Sequence, residues 1–445
     1  MTAKHVKHTL IALDSGTFLD YNYPTLSLVA FGGKNLKLHI YSLIMFLNSY
    51  LTGLLTPVLS LALIDKGASL SNLSIVLGLY ALSVILLEVP SGVMADVFGR
   101  KKTFLLSLTA ITLSFLLLFN SKGFFSLCIA MILYGFGRAL GSGSFDALFI
   151  DYYIDDFGKD KLHKITTRLS VLDALGLSTG ALSGGFFPDI SSRLLPSIGT
   201  YDLNILVRIL ITGVLIILSA LFITENKHED GKEHAPIRQH VKNSRDSIGK
   251  NTTILFIFIS VFSTGFFLSA LETYWQPHFI TLLPHEGSGG LLGLMAFLYL
   301  GAAMAGSILS NKTISKYKLS LRKMYLITRS LLALFLIATA LQTKVPLFIA
   351  SYASIYLMFG MATIPEDVIL NSETPNEIRA SVLSVKSFTI QVGGLAGSLL
   401  YSLLIRFMSI PQIWMIAGSV ILITVIFIAK KFITGEKDPM TNVKM

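Results

Sequence analysis

Runs of about 18–25 predominantly apolar residues recur along nearly the whole chain, each long enough to cross roughly 30 Å of hydrocarbon as a helix. Inside lipid no water satisfies backbone N–H and C=O groups, so only helices and closed barrels can span it. Barrel strands alternate apolar and polar residues with period two, whereas these runs are continuous. The expected fold class is therefore an all-α membrane protein. Composition agrees: 14% of the 445 residues are charged, against about 25% in ordinary soluble domains. Twelve spans are expected, at about 39–64, 71–95, 103–120, 124–150, 166–188, 204–224, 253–276, 288–309, 324–342, 345–368, 379–405 and 410–430.

A polar, charged segment at 225–252 divides the spans into six plus six. The expected organisation is a tail over 1–38, a six-helix bundle over 39–224, the central loop at 225–252, a second bundle over 253–432 and a tail over 433–445. Residues 1–37 contain Asp14 and Asp20 and no apolar core with a small-residue cleavage site, so they read as a tail rather than a signal peptide. With the N-terminus inside, about 27 of the 36 Lys and Arg fall on the cytoplasmic side and about 5 opposite. By the positive-inside rule both termini and the central loop are expected in the cytoplasm, in the inner membrane of a bacterium. The net charge of +10 then reflects topology rather than a nucleic-acid partner. The lone Cys128 offers no disulfide or Cys-type metal cluster. No phosphate-binding loop and no helical His pair is present, so no metal, cofactor or enzyme activity is expected. A single copy in the bilayer, with a small-molecule substrate and protons as partners, is the expectation.

The turn after the second span reads Gly92-Val-Met-Ala-Asp96-Val-Phe-Gly99-Arg100-Lys101. Glycine permits a tight turn, and a carboxylate can pair with cations or with a helix N-terminus. This pattern resembles the loop between helices 2 and 3 of the major facilitator superfamily, G-x-x-x-D-x-x-G-R-K/R. The resemblance implies two six-helix bundles with a midplane substrate site between them. It also implies a gating loop, with Asp96 latching onto the start of span 11 near Arg379, and Arg100 joining acids such as Asp151 at the end of span 4. The segment Glu88-Val-Pro90-Ser-Gly92 resembles a subgroup rich in drug exporters; Glu88 is read as a buried acid near the inner gate, with a structural role an equal alternative.

Charges within the spans point to a pathway, because a charge at membrane depth almost always faces a cavity or a partner. Arg138 lies near the middle of span 4, with Asp146 two turns on. Both are candidates for proton coupling or substrate binding, with a structural ion pair to Asp146 or Asp173 as the alternative for Arg138. In span 7, Gly265, Ser269, Glu272 and Gln276 form one polar stripe. Glu272 is a second coupling or substrate candidate, with Phe266, Phe267, Tyr274 and Trp275 nearby. Aromatic faces beside an acid suit a lipophilic cation, though Tyr274 and Trp275 equally suit an interfacial belt. Tyr352 and Tyr356 are cavity candidates. Arg208 and Arg329 are expected to snorkel from helix ends, and Glu366, Asp367 and Arg379 to flank the inner end of span 10.

Span 5 carries Gly176-Leu-Ser-Thr-Gly180-Ala-Leu-Ser-Gly184-Gly185. The glycine spacing resembles the superfamily's antiporter motif, with Ala181 in place of its proline. A related run, Gly393-Gly-Leu-Ala-Gly397, sits in span 11, and Arg168-Leu-Ser-Val-Leu172 pairs with Arg379-Ala-Ser-Val-Leu383, which suggests duplication. The resulting expectation is proton-coupled efflux of drug-like or lipophilic compounds by alternating access. A proton-coupled importer of a small metabolite and a non-transporting receptor or scaffold remain alternatives.

Overall fold

The computed structural model describes residues 33–141, 144–157, 162–225, 251–283, 289–317, 320–374 and 379–434. Their regular secondary structure is entirely helical. Span 1 is Gly33–Leu55, continued after a break by the short helix Leu59–Asp65. Span 2 is Leu70–Phe98, span 3 Arg100–Asn120, and span 4 the pair Phe124–Gly141 and Ser144–Phe157. Spans 5 and 6 are Leu162–Leu194 and Asp202–Phe222. Spans 7 to 12 are Thr252–Leu282, Gly289–Tyr317, Leu321–Ala340, Val345–Glu373, Arg379–Leu404 and Ile410–Thr434.

Eleven of these are long and apolar enough to cross a membrane. Span 5 is long enough at 33 residues but is interrupted by Arg168, Asp173 and Asp189. Several helices outrun their apolar stretches, because a helix continues in water as long as its backbone is capped. Ser69 and Asn72 cap span 2 reciprocally: the Ser69 hydroxyl accepts from Asn72 N–H, and the Asn72 side chain accepts from Ser69 N–H at 2.7 Å. Asn251 caps span 7. Gly99, at φ +95°, is the one-residue hinge between spans 2 and 3.

Helix packing follows one scheme twice. Span 1 packs on span 5, span 2 on span 4, and span 3 on spans 4 and 6. Six spans later, 7 packs on 11, 8 on 10, and 9 on 10 and 12. The two most extensive contacts between the halves are equivalent, span 5 with span 8 and span 2 with span 11, and span 7 adds a smaller one to the short helix Leu59–Asp65 and span 2. This is a two-bundle fold of twelve helices.

Glycines set the closest approaches. A Cβ on Gly180 would lie 2.1 Å from the Tyr50 carbonyl oxygen, and one on Gly184 2.1 Å from that of Leu54. Gly176 meets Phe46 and Ser49 in the same way. Span 1 reciprocates, with Gly53 against the Leu177 carbonyl. The second half repeats the arrangement, with Gly393 of span 11 on Phe262 and Gly265 of span 7 on Ile390. Such backbone contact is how membrane helices gain packing energy when lipid is as apolar as their side chains. Gly180→Val should therefore lower the melting temperature of the purified protein markedly, since overpacking costs about 1–3 kcal/mol or more. Gly213→Ala, where a Cβ meets nothing within 4 Å, should leave it unchanged in the same assay.

Candidate functional site

The two ends of the molecule differ. The far end carries the turns at 66–69, 121–123, 195–201 and 341–344; the terminal end carries the start of span 1 and the end of span 12. The halves are bound to each other at the far end. Gln276 of span 7 donates to the Thr56 carbonyl at 2.7 Å and accepts from Ser60 N–H at 2.8 Å. The Tyr274 hydroxyl pairs with that of Ser74 at 2.6 Å. Asp189 of span 5 accepts from the N–H groups of Gly289 and Gly290 at 3.2 and 3.3 Å. Its carboxylate thus caps the N-terminus of span 8, where the helix dipole favours an anion. Beside it, a Cβ on Gly185 would lie 2.2 Å from Gly293 N.

At the terminal end several polar links lie within one half. Arg100 forms an ion pair with Asp151, each side chain about one third exposed. Glu225 accepts from Arg100 N–H at 2.6 Å and Lys101 N–H at 3.1 Å, capping span 3. In the second half, Lys386 bridges Glu366 at 2.7 Å and also pairs with Asp367. Arg322 binds Glu373 at 2.7 Å, and Asn251 joins the same carboxylate at 3.0 Å.

Between the ends lie two ionisable sites on opposite halves. The first is a cavity of about 370 Å³ on spans 1, 4 and 5, lined by Asn48, Ser49, Thr52, Arg138, Asp146 and Asp173 with apolar neighbours including Met45 and Phe145. Ser49 donates to the Asp173 carboxylate at 2.6 Å. Arg138 and Asp146 both expose their side chains. Tyr80 lies close to Arg138. Behind it Tyr80 stacks near Tyr134, with ring centroids 4.8 Å apart. Tyr134 accepts from Arg208 at 3.2 Å.

The second site is Glu272. Its neighbours Leu271 and Thr273 are buried while Glu272 itself is exposed. Gln276, one turn further on, reaches across to the first half, so this face of span 7 looks into the seam. Tyr356 of span 10 donates to the Glu272 carboxylate at 3.1 Å. Tyr299 of span 8 lies against Tyr356, with centroids 4.3 Å apart. Tyr352 lies behind both, edge-on to Tyr299 and tilted against Tyr356, with centroids 5.4 and 5.5 Å away.

Several expectations need revising against this geometry. Arg208 and Arg329 do not snorkel; they are only 4% and 1% exposed. Arg208 donates to the Leu51 carbonyl and lies 4.5 Å from the Phe115 ring centroid. Arg329 is held by Thr264, the Ser260 carbonyl and Ser263 at 2.7–2.9 Å. Neutral acceptors and ring faces replace the water these cations would otherwise seek, which hydropathy cannot reveal. Glu88 is exposed rather than buried. Tyr352 is fully buried, so it backs the Glu272 site instead of lining open space. Tyr274 and Trp275 are buried too, which removes the interfacial-belt alternative. The polar stripe of span 7 splits: Gly265 packs on span 11, Ser269 bonds Ser398 at 2.8 Å, Gln276 joins the halves, and Glu272 faces the seam. The side chains of Asp96 and Arg379, and the Gly92 position, lie outside the described residues. Sequence reasoning missed Asp189, whose partners Gly289 and Gly290 come from another helix, and gave no role to Lys386, a cation within span 11.

Residues 41–318 match the Major Facilitator Superfamily. The chain belongs to that superfamily. A curated relative, the uncharacterized MFS-type transporter YxaM of Bacillus subtilis (strain 168), is 23% identical over 391 residues, covering 84% of this chain and 90% of YxaM. The class B tetracycline resistance protein of Escherichia coli is 31% identical over 160 residues, 35% of this chain and 39% of that protein. Among solved structures, the nucleoside transporter NupG aligns with TM-score 0.73 at 12% identity, over 93% of this chain and all of that one. A bacterial homolog of the human lysosomal transporter Spinster, in an inward-facing and unoccupied conformation, aligns with TM-score 0.66 at 14% identity, over 91% of this chain and 97% of that one. At these identities the structural likenesses establish the transporter fold.

The far-end contacts make a prediction for this superfamily member. Gln276→Leu removes two hydrogen bonds between the halves, each worth about 0.5–1.5 kcal/mol. Spin labels at positions 122 and 342, on far-end turns of opposite halves, should report a larger population of long distances by pulsed electron resonance than in the parent protein.

Proposed function

We propose that the chain is a proton-coupled exporter of drug-like or lipophilic small molecules, working by alternating access. The observation that carries this reading is the pair of carboxyl-bearing sites, Asp146 with Asp173 and Glu272, set within the spans on opposite halves. Charges at that depth cost about 2.5–3.5 kcal/mol each even by the lenient insertion scales, and they mark ion and substrate pathways. Each site has solvent access, so each can exchange protons without unfolding the bundle.

Direction is argued from topology. The Lys and Arg bias supports a terminal end facing the cytoplasm of a bacterial inner membrane. A far end held shut by Gln276, Tyr274 and Asp189 supports a state closed on that side, ready to load cargo from the cytoplasm. The glycine ladder of span 5 supports export, since it seats that helix against span 1 and, through Gly185, against span 8. The partial likeness to a tetracycline resistance protein agrees with a drug-like cargo. In the cycle, loading displaces a proton or closes the terminal end, the halves rock about their seam, and protonation from outside releases the cargo. Arg100 with Asp151, and by resemblance Asp96 with Arg379, belong to the terminal gate.

A second reading, proton-driven import of a small polar metabolite, is favoured by one observation: Asn48, Ser49, Thr52 and Arg138 give the first-half cavity a polar lining. Everted membrane vesicles separate the two. Export predicts that acidifying the lumen drives ethidium into it, that nigericin abolishes the movement, and that Asp146→Asn reduces it at least tenfold with normal protein levels. Ethidium accumulation that ignores the pH gradient would overturn the coupling.

A further inference from the structure

Corresponding helices of the two halves carry the same inventory of charge, two acids and one cation. In the first half these are Arg138 and Asp146 of span 4 and Asp173 of span 5. In the second they are Glu366 and Asp367 of span 10 and Lys386 of span 11. Helix contacts fix the register between the sets. Gly180 on Tyr50 repeats as Gly393 on Phe262, and Gly53 on Leu177 as Gly265 on Ile390. Counted from those contacts, Asp173 corresponds to Lys386. The ion pair of Arg100 with Asp151 likewise repeats as Arg322 with Glu373. Counted from that pair, Asp146 falls within two residues of the places that Glu366 and Asp367 hold in span 10.

The two sets are used differently. In the second half they satisfy one another: Lys386 bonds Glu366 at 2.7 Å and pairs with Asp367, and Tyr325 donates to Glu366 at 2.8 Å. In the first half, among the described residues, no ion pair joins Arg138 to Asp146 or Asp173. Arg138 and Asp146 instead lie exposed on a cavity of about 370 Å³. Ser49 takes one oxygen of Asp173 and leaves the other open. Charges in membrane spans face a partner or a cavity; the second half has taken the first course and the first half the second. A charge stripped of water without a partner is far costlier than a paired one. An anion entering the cavity would complete Arg138 and leave Asp146 bare, and a cation would do the reverse. A molecule bearing both groups completes both. The volume is within the range of roughly 300–1,000 Å³ that holds small organic ligands, and is far more than an inorganic ion needs.

We propose that the first-half cavity is a subsite for an amphiphilic zwitterion, with an anionic group held by Arg138, an ammonium held by Asp146 and the open oxygen of Asp173, and an apolar body against Met45 and Phe145. The guanidinium fork matches a carboxylate through two parallel hydrogen bonds, and Asn48 and Thr52 line the same space as neutral polar partners. The assignment rests on the transporter reading above and deepens it by naming the cargo class. The zwitterion brings no net charge, and its ammonium competes with a proton for Asp146, so exchange of cargo for proton takes place at one carboxylate. Lys386 supplies in the second half what the cargo ammonium supplies in the first. A soluble amino-acid-like compound and the phosphate–ammonium headgroup of a lipid share this chemistry, and lipid composition separates them.

The test uses the full-length protein in phosphatidylglycerol nanodiscs and three fluorescent probes on one scaffold. Dansyl-lysine, dansylated on its side-chain amine, is the zwitterion; dansylcadaverine is the same molecule without the carboxylate, and dansyl-aminocaproate the same without the free amine. Dansyl-lysine should bind saturably and about tenfold or more tighter than either of the others, because each of those leaves one charge-assisted bond unmade. Arg138→Gln should bring dansyl-lysine down to the affinity of dansylcadaverine while leaving dansylcadaverine itself little changed. Asp146→Asn should bring it down to that of dansyl-aminocaproate. Arg138→Lys keeps the charge without the fork and should retain part of the preference; with Asp146→Asn it carries the comparison if Arg138→Gln does not fold. Equal affinity for the three probes in the parent protein, or a uniform loss of all three in each variant, overturns the site. Adding phosphatidylethanolamine to the discs decides the source: competition assigns the zwitterion to a lipid headgroup, and unchanged binding to a soluble compound. If the probes are ranked as expected yet proteoliposomes move no dansyl-lysine under a pH gradient, the export reading fails and the site stands. If pH-driven ethidium movement is intact while the probes bind alike, the site fails and the export reading stands.

Discussion

Close backbone contact at glycine holds this molecule together. Two six-helix bundles in lipid gain little from the hydrophobic effect between their helices, so they depend on surfaces that fit without intervening side chains. Gly176, Gly180 and Gly184 press span 5 onto the backbone of span 1, and Gly185 turns the same helix toward Gly293 of span 8. Span 5 therefore belongs at once to the interior of its own half and to the seam. Span 8 meets span 5 at Gly185, span 5 meets span 1 along its glycines, and Ser49 of span 1 bonds Asp173, so the first-half cavity and the seam share one helix.

Polar groups are arranged by the same economy. Where a charge opens on the first-half cavity or the seam it keeps access to water, as Arg138, Asp146 and Glu272 do. Where it does not, it is wrapped: Arg329 by three hydroxyl or carbonyl oxygens, Arg208 by a carbonyl, a phenol and a ring face. The wrapped cations lock neighbouring helices within one half, and the exposed ones remain free to change partners.

Much of the fold was legible in the sequence, because apolar runs of span length and a single polar break at 225–252 admit few arrangements. The glycine spacing of span 5 was legible too, since close approach demands the smallest residue at fixed intervals. The site was legible only in part. Glu272, Arg138 and Asp146 stood out as charges in apolar helices, but their surroundings come from other helices, and no linear pattern encodes which face meets which. Hence Tyr299 went unremarked although it lies against Tyr356, and the aromatics adjacent to Glu272 in sequence, Tyr274 and Trp275, turned out to serve packing and the far-end seam. Arg208 and Arg329 misled for the converse reason: hydropathy records that a cation is present, and is silent on the oxygens that neighbouring helices supply.

The far-end clasp has a consequence beyond gating. Gln276 binds the backbone of Thr56 and Ser60, and Asp189 binds the backbone of Gly289 and Gly290. In both cases one half supplies a side chain and the other only its main chain. Main-chain groups persist through substitution, so either residue can be gained or lost without a compensating change opposite. The two halves can thus diverge independently while keeping a closed seam, and the contacts that matter most for closure leave little trace as paired changes between positions.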